Sequence, residues 1–127
     1  ELGQHLEGSG AKLPKIFCVN WFRTDENGKF VWPGFSENTR VLKWMLGRIE
    51  GEAAGNEHVF GITPSYGDLD WSGMDFSLEK FLTITSIDTD AWRKEFELHA
   101  ELFEKLAEGL PQRLLAIKKE FEARLGA

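Results

Sequence analysis

Apolar positions change period several times along this chain, and each change predicts an element. Glu1 to Glu7 reads as the end of a helix, closed by the flexible Gly8-Ser9-Gly10. Ile16 to Phe22 is a β-branched and aromatic run, the composition of a strand. Asn27-Gly28 follows with residues tolerant of positive φ, which suit a tight hairpin turn. Phe30-Val31-Trp32 is the expected return strand, ended by Pro33-Gly34. The period then becomes helical: Val41, Leu42, Met45, Leu46 and Ile49 recur at helical spacing through a segment ending near Gly51. Ser36 is placed to cap that helix, with Glu37 at its partially positive start and Asn38 in its first turn.

From Glu52 to Gly73 the pattern dissolves into Gly, Asn, Asp and Ser, broken by Val59-Phe60-Gly61-Ile62. This predicts a loop around at most one short strand. Phe76 to Ile84 predicts a short helix. Asp88 or Thr89 then caps a longer one whose apolar positions include Trp92, Phe96, Leu102, Phe103 and Leu106. Gly109 stops it, and Pro111 suits the first turn of a second helix carrying Leu114, Ile117, Phe121 and Leu125. The two form an expected antiparallel helical hairpin. The fold class is therefore helix-rich α+β or α/β, with a β-hairpin, a capped helix and a C-terminal helical hairpin.

Composition narrows the function. At 127 residues, with 42% hydrophobic and 28% charged residues, the chain has the profile of a soluble domain with its own core. A net charge of -6 argues against nucleic acid as a partner, because tracking phosphates needs a basic stripe. One locally positive pocket for a mononucleotide is still compatible with that charge. No apolar run reaches membrane-span length and no signal peptide opens the chain, so no membrane association is expected. The first residue is Glu1 rather than methionine, consistent with processing or a fragment. Cys18 is the sole cysteine, which excludes an internal disulfide and fits a reducing cytosol. It sits in an apolar run where an inert thiol is the expected reading.

Catalytic and metal chemistry is sparse. His5, His58 and His99 are far apart, and none belongs to a ligand pattern. Glu95 and His99 share a helical face as an ordinary surface pair. Asp68, Asp70 and Asp75 lack the glycine and closing glutamate of a calcium loop. Gly8 to Lys12 lacks the phosphate-loop spacing and is read as a linker. There is no nucleophile elbow, and Cys18 has no histidine near it in sequence. No catalytic residue and no metal ligand is expected in this chain.

One segment stands apart. Trp21, Phe22, Phe30, Trp32, Phe35 and Trp44 place six rings within twenty-four residues, beside the bifunctional amide of Asn38. Such a cluster packs a core in most proteins. It is also what holds and reads a nucleobase, and here the rings lie in a turn-rich stretch that should bring some to the surface. Stacking contributes about 1–3 kcal/mol per base but discriminates little. An amide can match part of guanine's edge, with its N1–H and N2–H donors and O6 acceptor, while adenine would leave polar groups unpaired.

The run PKIFCVNWFRTDENGKFVWPGFSENTRVLKWMLGRIEGE, Pro14 to Glu52, closely resembles the C-terminal region of GTP-dependent phosphoenolpyruvate carboxykinase. The family pattern is PKIF-x-VNWFR, an acidic turn, then F-x-WPGF-x-EN-[ST]-RVL-x-W. Thr63-Pro64 and Gly67-Asp68-Leu69 continue the match more weakly, and Thr85 to Ala127 is compatible with the family's end. Ser36 and Cys18 occupy variable positions of the pattern.

The resemblance implies that Phe22 and Phe35 sandwich a guanine ring, that Phe30 lines the same slot, and that Asn38 reads the base edge. Trp21 and Trp32 would shape the wall, whereas Trp44 is better read as helix packing. It further implies the C-terminal part of a nucleotide-binding lobe, comprising a guanine-binding segment 14–52, a connector 53–84 and the helical hairpin 85–127.

The implied reaction converts oxaloacetate and GTP to phosphoenolpyruvate, GDP and carbon dioxide, a decarboxylating lyase step of gluconeogenesis and anaplerosis. Manganese and magnesium would serve it in the cytoplasm, with their ligands outside this chain. The expected partners are the guanine nucleotide and the rest of the parent enzyme, and the fragment alone is expected to be inactive. Two other classes stay open on the residues themselves: an aromatic-groove module for proline-rich peptides, and a purely structural helical domain.

Overall fold

Helix α1 (Asn38–Glu50) forms where the helical period predicts it, and Gly51 ends it by returning its N–H to the Gly47 carbonyl. A computed structural model describes residues 5, 6 and 8–126 of the chain. Most of the helix end expected over Glu1–Glu7 lies outside the described residues. After α1 come two short strands, β1 (Asn56–His58) and β2 (Gly61–Thr63), then helices α2 (Leu78–Thr85), α3 (Thr89–Leu106) and α4 (Gln112–Gly126). Single 3-10 turns occupy Phe35–Glu37, Tyr66–Asp68 and Ala107–Gly109. The architecture is helix-rich α+β with a two-stranded antiparallel sheet.

The sheet is not where the apolar run places it. Ile16–Phe22 forms no strand and neither does Phe30–Trp32; a single bridge pairs Thr24, just beyond the first run, with Phe30. Strand propensity reflects how well a side chain fits a pleated, half-buried surface. Ile16 and Val19 instead face solvent, so the run lacks the packing that would favour regular pairing. The observed ladder pairs Asn56 with Thr63 and His58 with Gly61. It lies in the segment expected to hold at most one strand, because Asn56-Glu57-His58 carries no apolar alternation.

Two packing centres organise the chain. In the first, Trp44 of α1 meets Leu69, Phe76 and Phe81, all buried. Trp71 stacks between Tyr66 and Phe76, with centroids 5.3 and 4.9 Å away and both pairs inclined at 18°. The Trp71 indole N–H donates to the Tyr66 carbonyl at 2.8 Å, and the Tyr66 hydroxyl donates to the Phe76 carbonyl at 2.6 Å. In the second centre, Phe60 at the tip of the strand pair enters the helical hairpin. Its ring lies 4.1 Å from Trp92, 5.5 Å from Phe121 and 6.5 Å from Phe96. The Val59-Phe60 apolar break is thus a plug rather than strand.

The helical stripes are wider than the faces they bury. Leu42, Leu46 and Ile49 on α1, Leu102 and Leu106 on α3, and Leu114 and Ile117 on α4 are exposed, whereas Trp44 and Phe96 are buried.

The start of α3 is capped as the sequence predicts: Asp88 Oδ1 accepts from the Ala91 N–H at 2.9 Å. Asp88→Ala is expected to destabilise α3 locally by about 1 kcal/mol, the typical worth of such a cap. Asp88→Asn should be nearly neutral. Amide exchange over Thr89–Arg93 reads both, and equal protection in the two variants would contradict the assignment.

Candidate functional site

The slot begins at a turn built by one carboxylate. Asp25 Oδ1 accepts from the backbone N–H groups of Asn27 and Lys29 at 2.9 and 3.0 Å. Asp25 N–H donates to the Lys29 carbonyl at 2.9 Å, and Val31 N–H to the Arg23 carbonyl at 3.0 Å. Of the Asn27-Gly28 pair expected to tolerate positive φ, Gly28 takes φ 74 and Asn27 does not adopt a positive value. This narrow, twisted ribbon sets Phe22 beside Phe30, with centroids 5.9 Å apart and planes inclined at 63°.

Gly34 then reverses the chain with φ 136 and ψ -179, a conformation that only glycine adopts readily. A Cβ there would meet nothing within 4 Å, so the requirement is conformational rather than steric. The Phe35–Glu37 turn follows and delivers Asn38 as the first residue of α1. Ser36 does not cap the helix. It lies inside the 3-10 turn, and its hydroxyl donates to Glu37 Oε1 at 3.1 Å.

Trp21, Phe22, Phe30, Trp32, Gly34, Phe35 and Asn38 line one cavity of about 190 Å³. Five of the six clustered rings meet there with Asn38, while Trp44 lies in the core, and Gly34 is the addition, signalled only by its Pro-Gly dipeptide. Whole-ligand pockets are typically about 300–1,000 Å³, so this volume suits one ring system rather than a complete nucleotide. The rings divide by burial. Trp32 is 7% exposed, whereas Phe22, Phe30 and Phe35 are 72%, 59% and 91% exposed. Within this segment the three phenylalanines are not packed into a core; they surround a polar amide with their apolar faces open.

The wall is anchored on the first packing centre. Trp32 lies 5.3 Å from Trp21, 6.4 Å from Trp71 and 6.0 Å from Phe76 by ring centroid. Its indole N–H donates to Asn38 Oδ1 at 2.8 Å. Two arginines tie the slot to the rest of the chain. Arg23 donates to the Ser86 carbonyl at 2.7 Å and to Ser86 Oγ at 2.8 Å. Arg40 donates to the carbonyls of Asp70 and Ser72, and its Nε pairs with Glu37 Oε2 at 2.6 Å. Trp71, Arg23 and Arg40 escaped the sequence reading because the contacts that join Trp71 to Trp32, Arg23 to Ser86 and Arg40 to Asp70 and Ser72 span thirty or more residues of chain.

Hydrogen bonds from Arg40 and then Ser36 hold the Glu37 carboxyl below its ordinary value of 4.5. A carboxylate whose folded pKa is depressed contributes its stability above the unfolded value and loses it as pH falls through the lower, folded one. The stability difference between wild type and Glu37→Gln is therefore expected to be constant well above pH 4.5 and to vanish in acid. Paired acid titrations followed by tryptophan emission check this, and a pH-independent difference would contradict it.

Two of the three aspartates compared with a cation loop, Asp68 and Asp70, serve local turns. Asp68 Oδ2 accepts from the Ser65 N–H at 2.7 Å, and Asp70 Oδ1 accepts from Ser72 N–H and Oγ at 3.0 and 2.6 Å. The Ser72 bonds lower the Asp70 pKa. Glu95 and His99 are 3.4 Å apart on α3. Among the described residues, no three His, Cys, Asp or Glu side chains are grouped to hold a metal ion, and no helix is long and apolar enough to cross a membrane.

Comparison with known proteins gives this geometry a lineage. Residues 2–124 match the family described as phosphoenolpyruvate carboxykinase C-terminal P-loop domain. The "Phosphoenolpyruvate carboxykinase [GTP]" of Anaeromyxobacter dehalogenans strain 2CP-1 is 49% identical over 107 residues, covering 84% of this chain and 18% of that protein. The mouse "Phosphoenolpyruvate carboxykinase [GTP], mitochondrial" is 43% identical over 122 residues, 94% of this chain and 19% of its own length. The Corynebacterium efficiens protein, also named "Phosphoenolpyruvate carboxykinase [GTP]", is 41% identical over 118 residues, 90% and 19% respectively. The chain thus spans under a fifth of the length of each of these three relatives. It belongs to the phosphoenolpyruvate carboxykinase C-terminal P-loop domain family.

Proposed function

We propose that this segment is the guanine-binding portion of an enzyme that converts oxaloacetate and GTP to phosphoenolpyruvate, GDP and carbon dioxide. The observation that carries the reading is the cavity in which Phe22, Phe30 and Phe35 stand exposed around Asn38. Phe22 and Phe35 take the two faces of the base, Phe30 closes its side, and Trp21 and Trp32 form the back wall. Stacking supplies affinity, and Asn38 supplies selectivity.

Residues 14–52 form the base-binding unit, 53–84 the connector and 85–127 a helical hairpin that takes up Phe60 of the connector. Decarboxylation of oxaloacetate leaves an enolate that takes the γ-phosphoryl group. Manganese and magnesium would neutralise charge on the transferring phosphoryl group, held by residues outside this segment. No phosphate-loop spacing occurs here, so this segment positions one end of the nucleotide and is inactive alone. The parent works in gluconeogenesis or anaplerosis, and we assign it to the cytoplasm; this segment, with Cys18 as its one cysteine, carries no internal disulfide that would speak against a reducing compartment.

Tryptophan emission of the intact protein, titrated with GDP, GTP and ADP, tests the reading. Trp21 and Trp32 line the cavity, so both guanine nucleotides should change the emission at concentrations where ADP does not. An equal response to all three, or a response only to a proline-rich peptide, would overturn it.

A further inference from the structure

The Asn38 amide carries a donor and an acceptor on one planar group. If free to turn over, it would serve a carbonyl and an amino group equally well. Here it is not free. The Trp32 indole N–H, a donor with no acceptor capacity, meets Asn38 Oδ1 at 2.8 Å. Only the oxygen end of the amide can satisfy it. Trp32 cannot readily swing away, because it is buried and packed against Trp21, Trp71 and Phe76. With the oxygen committed, the Nδ2 amino end is left for the cavity that Asn38 lines with the phenylalanines.

We propose that Trp32 is a positioning residue for base selection: it locks the Asn38 amide with its amino end toward the slot, so that the slot accepts a purine carrying a carbonyl at C6 and rejects one carrying an amino group. The inference rests on the guanine reading and deepens it. A C6 carbonyl accepts from the presented N–H. A C6 amino group would set donor against donor, leaving both unpaired in a partly desolvated site. Trp32 touches the base only as wall; its effect on selection passes through Asn38.

The test compares GDP and ADP affinity of the intact protein in wild type, Trp32→Phe, Asn38→Ala and the double variant. Phenylalanine keeps an aromatic wall but removes the indole N–H, which frees the amide to turn over. The GDP-to-ADP affinity ratio should fall about tenfold, with ADP binding strengthened while GDP binding weakens modestly. A merely structural role would weaken both together. In the Asn38→Ala background, Trp32→Phe should leave the ratio unchanged.

Proportional loss of both affinities, or an unchanged ratio in Trp32→Phe, overturns the lock but leaves the guanine reading standing. A wild type indifferent between GDP and ADP overturns both. A second measurement keeps Trp32 in place: with ¹⁵N-labelled tryptophan, the Trp32 indole proton should exchange slowly in wild type and faster in Asn38→Ala. Equal protection in the two would overturn the lock independently.

Discussion

Replacing Phe35 with alanine is expected to weaken guanine-nucleotide binding by the intact protein roughly 5- to 150-fold, the equivalent of about 1–3 kcal/mol for one stacking face. The ring is 91% exposed, so its removal leaves little cavity in the fold. Gly34 and the Phe35–Glu37 turn set its position through backbone conformation, so neighbouring groups need not rearrange when the ring is lost. Phe35→Tyr should retain most of the affinity because the flat face is kept. Calorimetric titration with GDP measures both variants. An affinity for Phe35→Ala within twofold of wild type would mean that the ring is not a face of the binding slot.

Trp44→Ala is expected to cost about 3–5 kcal/mol, the range for truncating a large buried aromatic. Trp44 is 6% exposed and packs with Leu69, Phe76 and Phe81. Phe17 lies 6.2 Å away by ring centroid with the planes inclined at 75°, and the Trp44 indole N–H donates to the Ala54 carbonyl at 2.9 Å. Gly55 lies against the same ring: a Cβ there would come within 3.4 Å of it and within 2.5 Å of the Ile62 side chain. Truncation therefore removes core volume and also the indole donor to the Ala54 carbonyl. Domains are stable by only about 5–15 kcal/mol, so a loss of this size should open α1 locally. Hydrogen exchange of Asn38–Glu50 amides in the intact protein reads it directly. Protection equal to wild type would show that α1 is held by something other than this core. The two predictions oppose each other usefully: Phe35→Ala should change binding and spare stability, whereas Trp44→Ala should change stability first.

The contrast also shows which features the sequence reveals. Trp21 to Asn38 are close along the chain, so a turn and a reversal suffice to gather them, and turn chemistry is local. Two helix ends were legible for the same reason, since Gly51 and Asp88 act on neighbours within five residues, whereas the Ser36 cap gave way to the 3-10 turn that precedes Asn38. The strands failed because β-propensity records a preference for a surface to lie on, and Ile16–Phe22 lacks that packing. Asn56–Thr63 pairs through its backbone, which polar side chains do not advertise. Phe60 read as strand because its role depends on Trp92 and Phe121, more than thirty residues away along the chain. The Trp32 bond to Asn38 was within reach by spacing, but its consequence for the amide required the geometry.

The most direct measurement is the crystal structure of the intact protein with GDP bound. The account predicts the guanine ring between Phe22 and Phe35, with Phe30 at its edge, Asn38 Nδ2 within hydrogen-bond distance of O6, and Trp32 Nε1 still on Asn38 Oδ1. A base bound elsewhere, with Phe22 and Phe35 free of it, would contradict the assignment.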